Sequence, residues 1–170
     1  HQKNQIRNGY RIQFHFCDNE HYYINKYMVS GASTQSSVPI IVINQLIEES
    51  EKIAKILKLK DGIFHIQFIQ KDNKAYIIEI CRRPPGDLYI DFVKYSTGVD
   101  YPKYLIKAFS GLDISDIEQK ESTFITRHCV MTNQNGIIED VIYDDSIKEN
   151  IIDEFIWWKT GDRIEDFVTY

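Results

Sequence analysis

Cysteine is scarce in this sequence: Cys17, Cys81 and Cys129 are the three in 170 residues. They form no CxxC pair, which argues against a structural zinc site and against a disulfide framework. Proline and glycine are also few, 4 and 8 residues, so collagen-like and low-complexity chains are excluded. No apolar run approaches the roughly 20 residues that cross a bilayer. Neither sign of charge dominates, with 20 Lys+Arg against 25 Asp+Glu and a net charge of -5. A general nucleic-acid binder would ordinarily be basic. There is no GxGxxG or GxxxxGK(S/T) phosphate loop and no internal repeat. His1-Gln2-Lys3 shows neither a signal-peptide pattern nor an initiator Met. These absences give the expectation of a reduced, cytoplasmic protein that engages neither membrane nor nucleic acid, read as a piece of a longer chain.

What is present is apolar residue at 43% and aromatic residue at 13%, enough for a real core. Tyr10–Phe16 alternates polar and apolar, the period of a half-buried strand. Cys17–Glu20 reads as a turn and His21–Tyr27 as the return strand of a hairpin. Residues 30–39 read as a loop. From Ile43 the period lengthens: Ile43, Leu46, Ile47, Ile53, Ala54 and Leu57 share one helical stripe. The helix should end near Lys58–Lys60, with Asp61-Gly62 as the stop.

Ile63–Ile69 and Ala75–Cys81 read as two strands joined by Lys71–Lys74. Matching their apolar faces, Phe64/Ile66/Phe68 against Tyr76/Ile78/Ile80, requires a three-residue loop centred on Asn73. Gln67 then sits opposite Glu79, and His65 opposite Cys81. The expectation is a polar patch of His65, Gln67, Glu79 and Cys81, with Arg82 and Arg83 at its end. A two-residue turn would instead place Glu79 among the phenylalanines. Pro84-Pro85 stops the second strand, because proline lacks the N–H a ladder needs. Helices follow over 88–95, with Leu88, Phe92 and Tyr95 as its apolar face, and over 101–110. Ser96–Asp100 links them. Phe124–Thr132, Ile137–Tyr143 and the run from Phe155 through Trp157-Trp158 to Ile164 supply further strand candidates. Trp157 and Trp158 read as core or subdomain contacts.

Gly62-Ile63-Phe64-His65-Ile66-Gln67-Phe68, a short turn, Tyr76-Ile77-Ile78-Glu79-Ile80-Cys81-Arg82-Arg83-Pro84-Pro85-Gly86 and Ser96–Asp100 together resemble the C-terminal half of an ATP-grasp domain, in the carboxylate–amine ligase superfamily. The resemblance covers roughly residues 10–111, and the tail after Leu112 loosely resembles the β-rich extension of carbamoyl-phosphate-synthase-like members. It implies an α+β fold, an antiparallel sheet backed by helices, with a C-terminal ATP-grasp subdomain over 1–111 and a β-rich extension over 112–170. It also implies that an N-terminal domain and a first ATP-binding subdomain belong to the same protein but lie outside this chain.

The family's chemistry is ATP-dependent ligation: a carboxylate is phosphorylated, and an amine displaces the acyl phosphate. Mg²⁺ ions bridge the phosphates, because hard cations take oxygen ligands. Carried onto this chain, the resemblance makes Glu79 the bridging metal ligand and Arg83 the grip on a carboxylate or acyl phosphate, a role suited to guanidinium geometry. Gly86 matches a glycine that lets backbone approach substrate. His65 stands where some members place a group near the transferred phosphate. Gln67 and Cys81 occupy the two remaining metal positions, and both depart from the family's acid and asparagine. Glutamine still offers a neutral oxygen, whereas a thiol is soft and suits Mg²⁺ poorly. Weaker or single-metal binding follows. The implied partners are small carboxylate and amine substrates, the N-terminal half of the protein, and a second copy if the enzyme is a homodimer. Alone, the 170 residues should not catalyse.

Two other readings stand beside this one. A degenerate ATP-grasp scaffold would bind nucleotide or a partner without chemistry, and Gln67 and Cys81 favour it. A thiol enzyme would use Cys81 with His65 as an imidazole partner.

Overall fold

The structure, a computed structural model, describes residues 15–23, 25–118 and 120–166. The elements in order are β1 (Asn19–Tyr22), β2 (Val29–Ser33), α1 (Ile40–Ile56), β3 (His65–Lys71), β4 (Lys74–Cys81), α2 (Tyr89–Thr97), α3 (Tyr101–Phe109), β5 (Thr126–His128), β6 (Gly136–Ile137), α4 (Asp145–Lys148) and β7 (Arg163–Ile164). The architecture is α+β, as the sequence leads one to expect. Among the described residues the strands form three small sheets, ordered β1-β2-β5, β3-β4 and β6-β7. The chain divides into two compact units: His1–Asn19 with Ala32–Arg127, and Glu20–Gly31 with His128–Tyr170. No helix among the described residues is long and apolar enough to cross a membrane.

The first unit holds the core, built from Ala32, Val42, Leu46, Phe92, Val93 and Val99. α1 packs against β4. Its inward stripe is Val42, Leu46 and Ser50, one residue per turn at i, i+4 and i+8. The helix starts earlier than its apolar period indicates, at Ile40, and Leu57 lies outside it at 60% exposure. Ser50 tolerates burial because its hydroxyl donates to the Leu46 carbonyl at 2.6 Å, which satisfies the polar group within the helix itself.

α2 also buries residues that the sequence assigned to a linker. Ser96 and Thr97 are in its last turn and are buried. Thr97 Oγ1 donates to the Val93 carbonyl at 2.8 Å, and Ser96 Oγ donates to the Thr123 carbonyl at 2.9 Å. Phe92, Val93, Ser96 and Thr97 make the inward face, so Tyr95 is left 39% exposed. Gly98 ends the helix with φ 75, the left-handed closure that glycine accepts without steric cost. Asp100 then caps α3, its side chain accepting from the Lys103 N–H at 3.2 Å. Thr34, fully buried, donates to the Thr123 carbonyl at 2.8 Å and accepts from the Ile125 N–H at 2.7 Å.

Strand expectations near the two ends need correction. The expected strand over Tyr10–Phe16 lies largely outside the described residues, and His15–Asp18 is not strand. Asn19 and Glu20, expected in a turn, open β1; Val29–Ser33, expected partly in a loop, forms β2. In the tail the strands are short, and Val141–Tyr143 is not strand. A one-turn helix, α4, appears instead at Asp145–Lys148, where Asp144 accepts from the Ser146 N–H at 2.8 Å. The run Phe155–Lys159 has no regular structure; Trp157 and Trp158 are 77% and 56% exposed, which removes them from the core.

Candidate functional site

The site is built on the β3–β4 hairpin of the first unit. Its turn is two residues, Asp72-Asn73, with φ 50 and 57. Positive φ at both central positions is the type I′ signature, whose twist matches that of paired strands. The three-residue loop required by the face-matching argument is therefore absent. Lys71 pairs with Lys74, Ile69 with Tyr76 and Phe68 with Ile77. Yet Gln67 pairs with Glu79 and His65 with Cys81, as expected.

A β-bulge reconciles the two. The register shifts between Gln67 and Phe68, so Ile78 has no counterpart on β3. One surplus residue resets the side-chain phase. Ile78 is accordingly 62% exposed. Beyond the bulge the ladder is regular, and directly opposed residues share a face. His65, Gln67, Glu79 and Cys81 therefore form one row on one side of the hairpin.

At the end of that row His65 Nδ1 lies 3.2 Å from Cys81 Sγ. The sulfur also reaches the Arg83 carbonyl at 3.8 Å. The two arginines that follow behave differently. Arg82 turns back to the loop after α1, donating from Nη2 to the Lys60 and Asp61 carbonyls at 2.8 and 3.1 Å. Its role here is to fasten that loop rather than to pair with an acid. Arg83 is exposed and donates only locally, from Nη1 to the Pro84 carbonyl at 3.1 Å. A Cβ at Gly86 would meet nothing within 4 Å. Among the described residues nothing crowds that glycine.

Several residues of this neighbourhood carry no local sequence signal. Tyr89, at the start of α2, sets its ring edge-on to His65, centroids 6.4 Å apart. Its hydroxyl donates to Asp18, which is 71 positions distant in sequence. Phe16 and Phe92 pack on Tyr89 at 6.0 and 5.7 Å. Arg127 donates to the Asp87 carbonyl at 2.6 Å and pairs with its carboxylate, pinning the loop that contains Gly86. A line of contacts therefore runs from the end of the row to the segment before β1: Cys81, His65, Tyr89, Asp18.

Burial, then the charge of Asp18, drives the Tyr89 hydroxyl far above its ordinary range and pushes Tyr101 up to about 12. Neutral tyrosine is thus favoured in the folded state. Above a pH of about 10 the unfolded chain releases the Tyr101 proton first, so stability present below that pH declines toward 12. Tyr101→Phe should flatten this decline by about 1–3 kcal/mol. Urea midpoints measured at intervals from neutral pH to the alkaline limb would show it, and an unchanged slope would contradict it. Tyr89 is shifted in the same direction, so some slope should persist.

The oxygen-bearing side chains of the row that could meet a hard cation are the Glu79 carboxylate and the Gln67 amide. Among the described residues no three His, Cys, Asp or Glu side chains cluster as a metal-binding group. Mg²⁺ tolerates such a sparse set because it keeps water and takes phosphate oxygens to complete its octahedron. The Cys81 sulfur is soft and is engaged with His65, which sets it apart from that donor pair.

No protein-family model matches the chain. The chain does superpose on phosphoribosylglycinamide synthetase from Anaerococcus prevotii with a TM-score of 0.70, over 88% of its own length, at 21% identity. This protein has an ATP-grasp fold. It corresponds to 39% of that solved chain. Sequence similarity points the same way. The carbamoyl phosphate synthase large chain of Caldanaerobacter subterraneus subsp. tengcongensis is 31% identical over 78 residues, 46% of this chain and 7% of the relative. The large chain from Archaeoglobus fulgidus is 28% identical over 85 residues, 50% of this chain and 8% of the relative. The chain thus spans less than a tenth of the curated relatives it matches, and its ATP-grasp fold is a small part of proteins of that size.

Proposed function

We propose that these residues are the phosphate- and metal-facing part of an ATP-dependent carboxylate–amine ligase acting through an acyl phosphate. The observation that carries this reading is the register: Gln67 and Glu79 stand opposite each other beyond the bulge, on the same face as His65. Glu79 and Gln67 hold Mg²⁺. The ion, when bound with ATP, neutralises charge on the phosphoryl group being transferred. Arg83, two residues past β4, binds a carboxylate or the acyl phosphate, and His65 approaches the phosphoryl group. Gly86 leaves the backbone of its loop open to substrate. In this reading residues 1–111 are the C-terminal ATP-grasp subdomain and 112–170 a β-rich extension. The adenine pocket comes from the rest of the protein, so the 170 residues alone do not turn over.

The test is ADP release by the full-length protein supplied with Mg–ATP and a panel of carboxylates and amines. Release that requires both a carboxylate and an amine is expected. A second reading, a nucleotide-binding scaffold, draws on the sparse donor set. ATP binding with no ADP release from any pair would favour it and overturn the ligase.

A further inference from the structure

The loop between β4 and α2 carries Arg83 and Gly86, and a residue that no step of the ligation uses holds it from outside. We propose that Arg127 is a positioning residue for the carboxylate end of the site: it fixes the loop over residues 83–88 and thereby sets how Arg83 meets a carboxylate substrate. The effect on substrate rests on the ligase reading; the holding of the loop does not.

Three observations carry it. Asp87 and Leu88 stand side by side at φ 62 and 56, a left-handed pair that residues other than glycine adopt where their surroundings impose it. Arg127, 40 positions further along the chain, supplies the constraint. Its Nη1 donates to the Asp87 carbonyl at 2.6 Å and pairs with the Asp87 carboxylate.

The arrangement is also a poor way to gain stability. The Arg127 side chain is 18% exposed, and its buried Nε meets no acceptor among the described residues. A buried donor left without an acceptor is destabilising, and an ion pair to an exposed carboxylate returns little. Strain and an orphaned donor kept together point to a loop held for use.

The mount is stiff, and so is the loop it holds. Just before β5, the Thr123 N–H donates to the Ser96 carbonyl at 2.8 Å and the Thr34 N–H to the Ile125 carbonyl at 2.9 Å. The segment carrying Arg127 is thus tied to the last turn of α2, while Arg127 grips the loop before its first turn. Within the loop, Pro84 and Pro85 have φ fixed by their rings. Arg83 Nη1 donates to the Pro84 carbonyl at 3.1 Å, so its guanidinium travels with the loop.

The test uses the full-length protein and Arg127→Met, which fills a similar volume, removes the orphaned donor and cannot hold Asp87. The KM for the best carboxylate of the panel should rise about tenfold or more, with the KM for Mg–ATP unchanged. Amides of residues 86–89 should exchange with deuterium about tenfold faster or more, those of β3 and β4 at their former rates. Asp87→Asn keeps the carbonyl acceptor on an exposed residue and should raise the carboxylate KM severalfold, which covers a misfolded Arg127→Met. An unchanged carboxylate KM, or equal rises for carboxylate and Mg–ATP, overturns the positioning role. Unchanged exchange over 86–89 overturns the holding. If the unmodified protein releases no ADP with any pair, the ligase reading fails and takes the substrate effect with it, while exchange still decides whether Arg127 holds the loop.

Discussion

On the proposed ligase reading, Glu79→Gln in the full-length protein should lower turnover by about 10²–10³-fold and leave the fold intact. The size of the effect follows from how little the donor set contains. The row offers a cation one carboxylate and one neutral amide, both held by the ladder positions of Gln67 and Glu79. Removing the only formal charge of that pair leaves two amides, which attract Mg²⁺ weakly from water. Stability should barely change, because Glu79 is exposed and lies in a regular stretch of strand. Loss of activity with an unchanged urea midpoint is thus the expected pair of results. Gln67→Glu should act in the opposite direction, tightening Mg–ATP binding by calorimetry. Turnover that survives Glu79→Gln would remove this carboxylate from the chemistry.

Gly62→Ala should produce the largest loss of stability among single substitutions near the hairpin, about 2 kcal/mol. Gly62 has φ 144, a region that side chains avoid. An added Cβ would fall 2.4 Å from Arg82 Nη2. The guanidinium must then move, and it carries both bonds that tie Lys60 and Asp61 to the end of β4. These bonds are solvent-exposed, so their share is modest; backbone strain supplies the rest. A double-mutant cycle with Arg82→Ala separates the two. Both changes remove the same contacts, so the double variant should cost less than the sum of the singles. Strict additivity of urea-derived free energies would mean that Arg82 does not mediate the effect.

How much of this was legible in the sequence differs from element to element. α1, the hairpin strands, α2 and α3 announce themselves through apolar period, and the ATP-grasp resemblance follows from the order of Gly62, Glu79, Arg83 and Gly86. The hairpin is the instructive case. Its polar row was expected in the observed register, but for a wrong reason. A bulge depends on which residue of β4 the ladder omits, and Ile77 and Ile78 are chemically alike, so nothing local marks Ile78 as the surplus one. Ser50, Ser96 and Thr97 were missed for a different reason. Polar residues are discounted as core, yet a hydroxyl that returns its proton to a backbone carbonyl can be buried. The contact of Tyr89 with Asp18 joins distant segments and leaves no period to read. In the tail, β-rich composition suggests long strands, whereas the pairing seen among the described residues is short.

The surplus isoleucine has a consequence for how such a protein can change over time. It works as a phase shifter between two ends of one hairpin. On its far side the tip is fixed by a tight turn and by Phe68–Ile77 pairing; on its near side the ladder holds the polar row, with Ile66 paired to Ile80 between its two pairs. Drift in the composition of the tip, from Gln70 to Ala75, is therefore uncoupled from the polar row as long as the slip between the two halves is kept. Changes that restored strict alternation through position 78 would carry the Glu79 carboxylate to the opposite side of the hairpin in a single step.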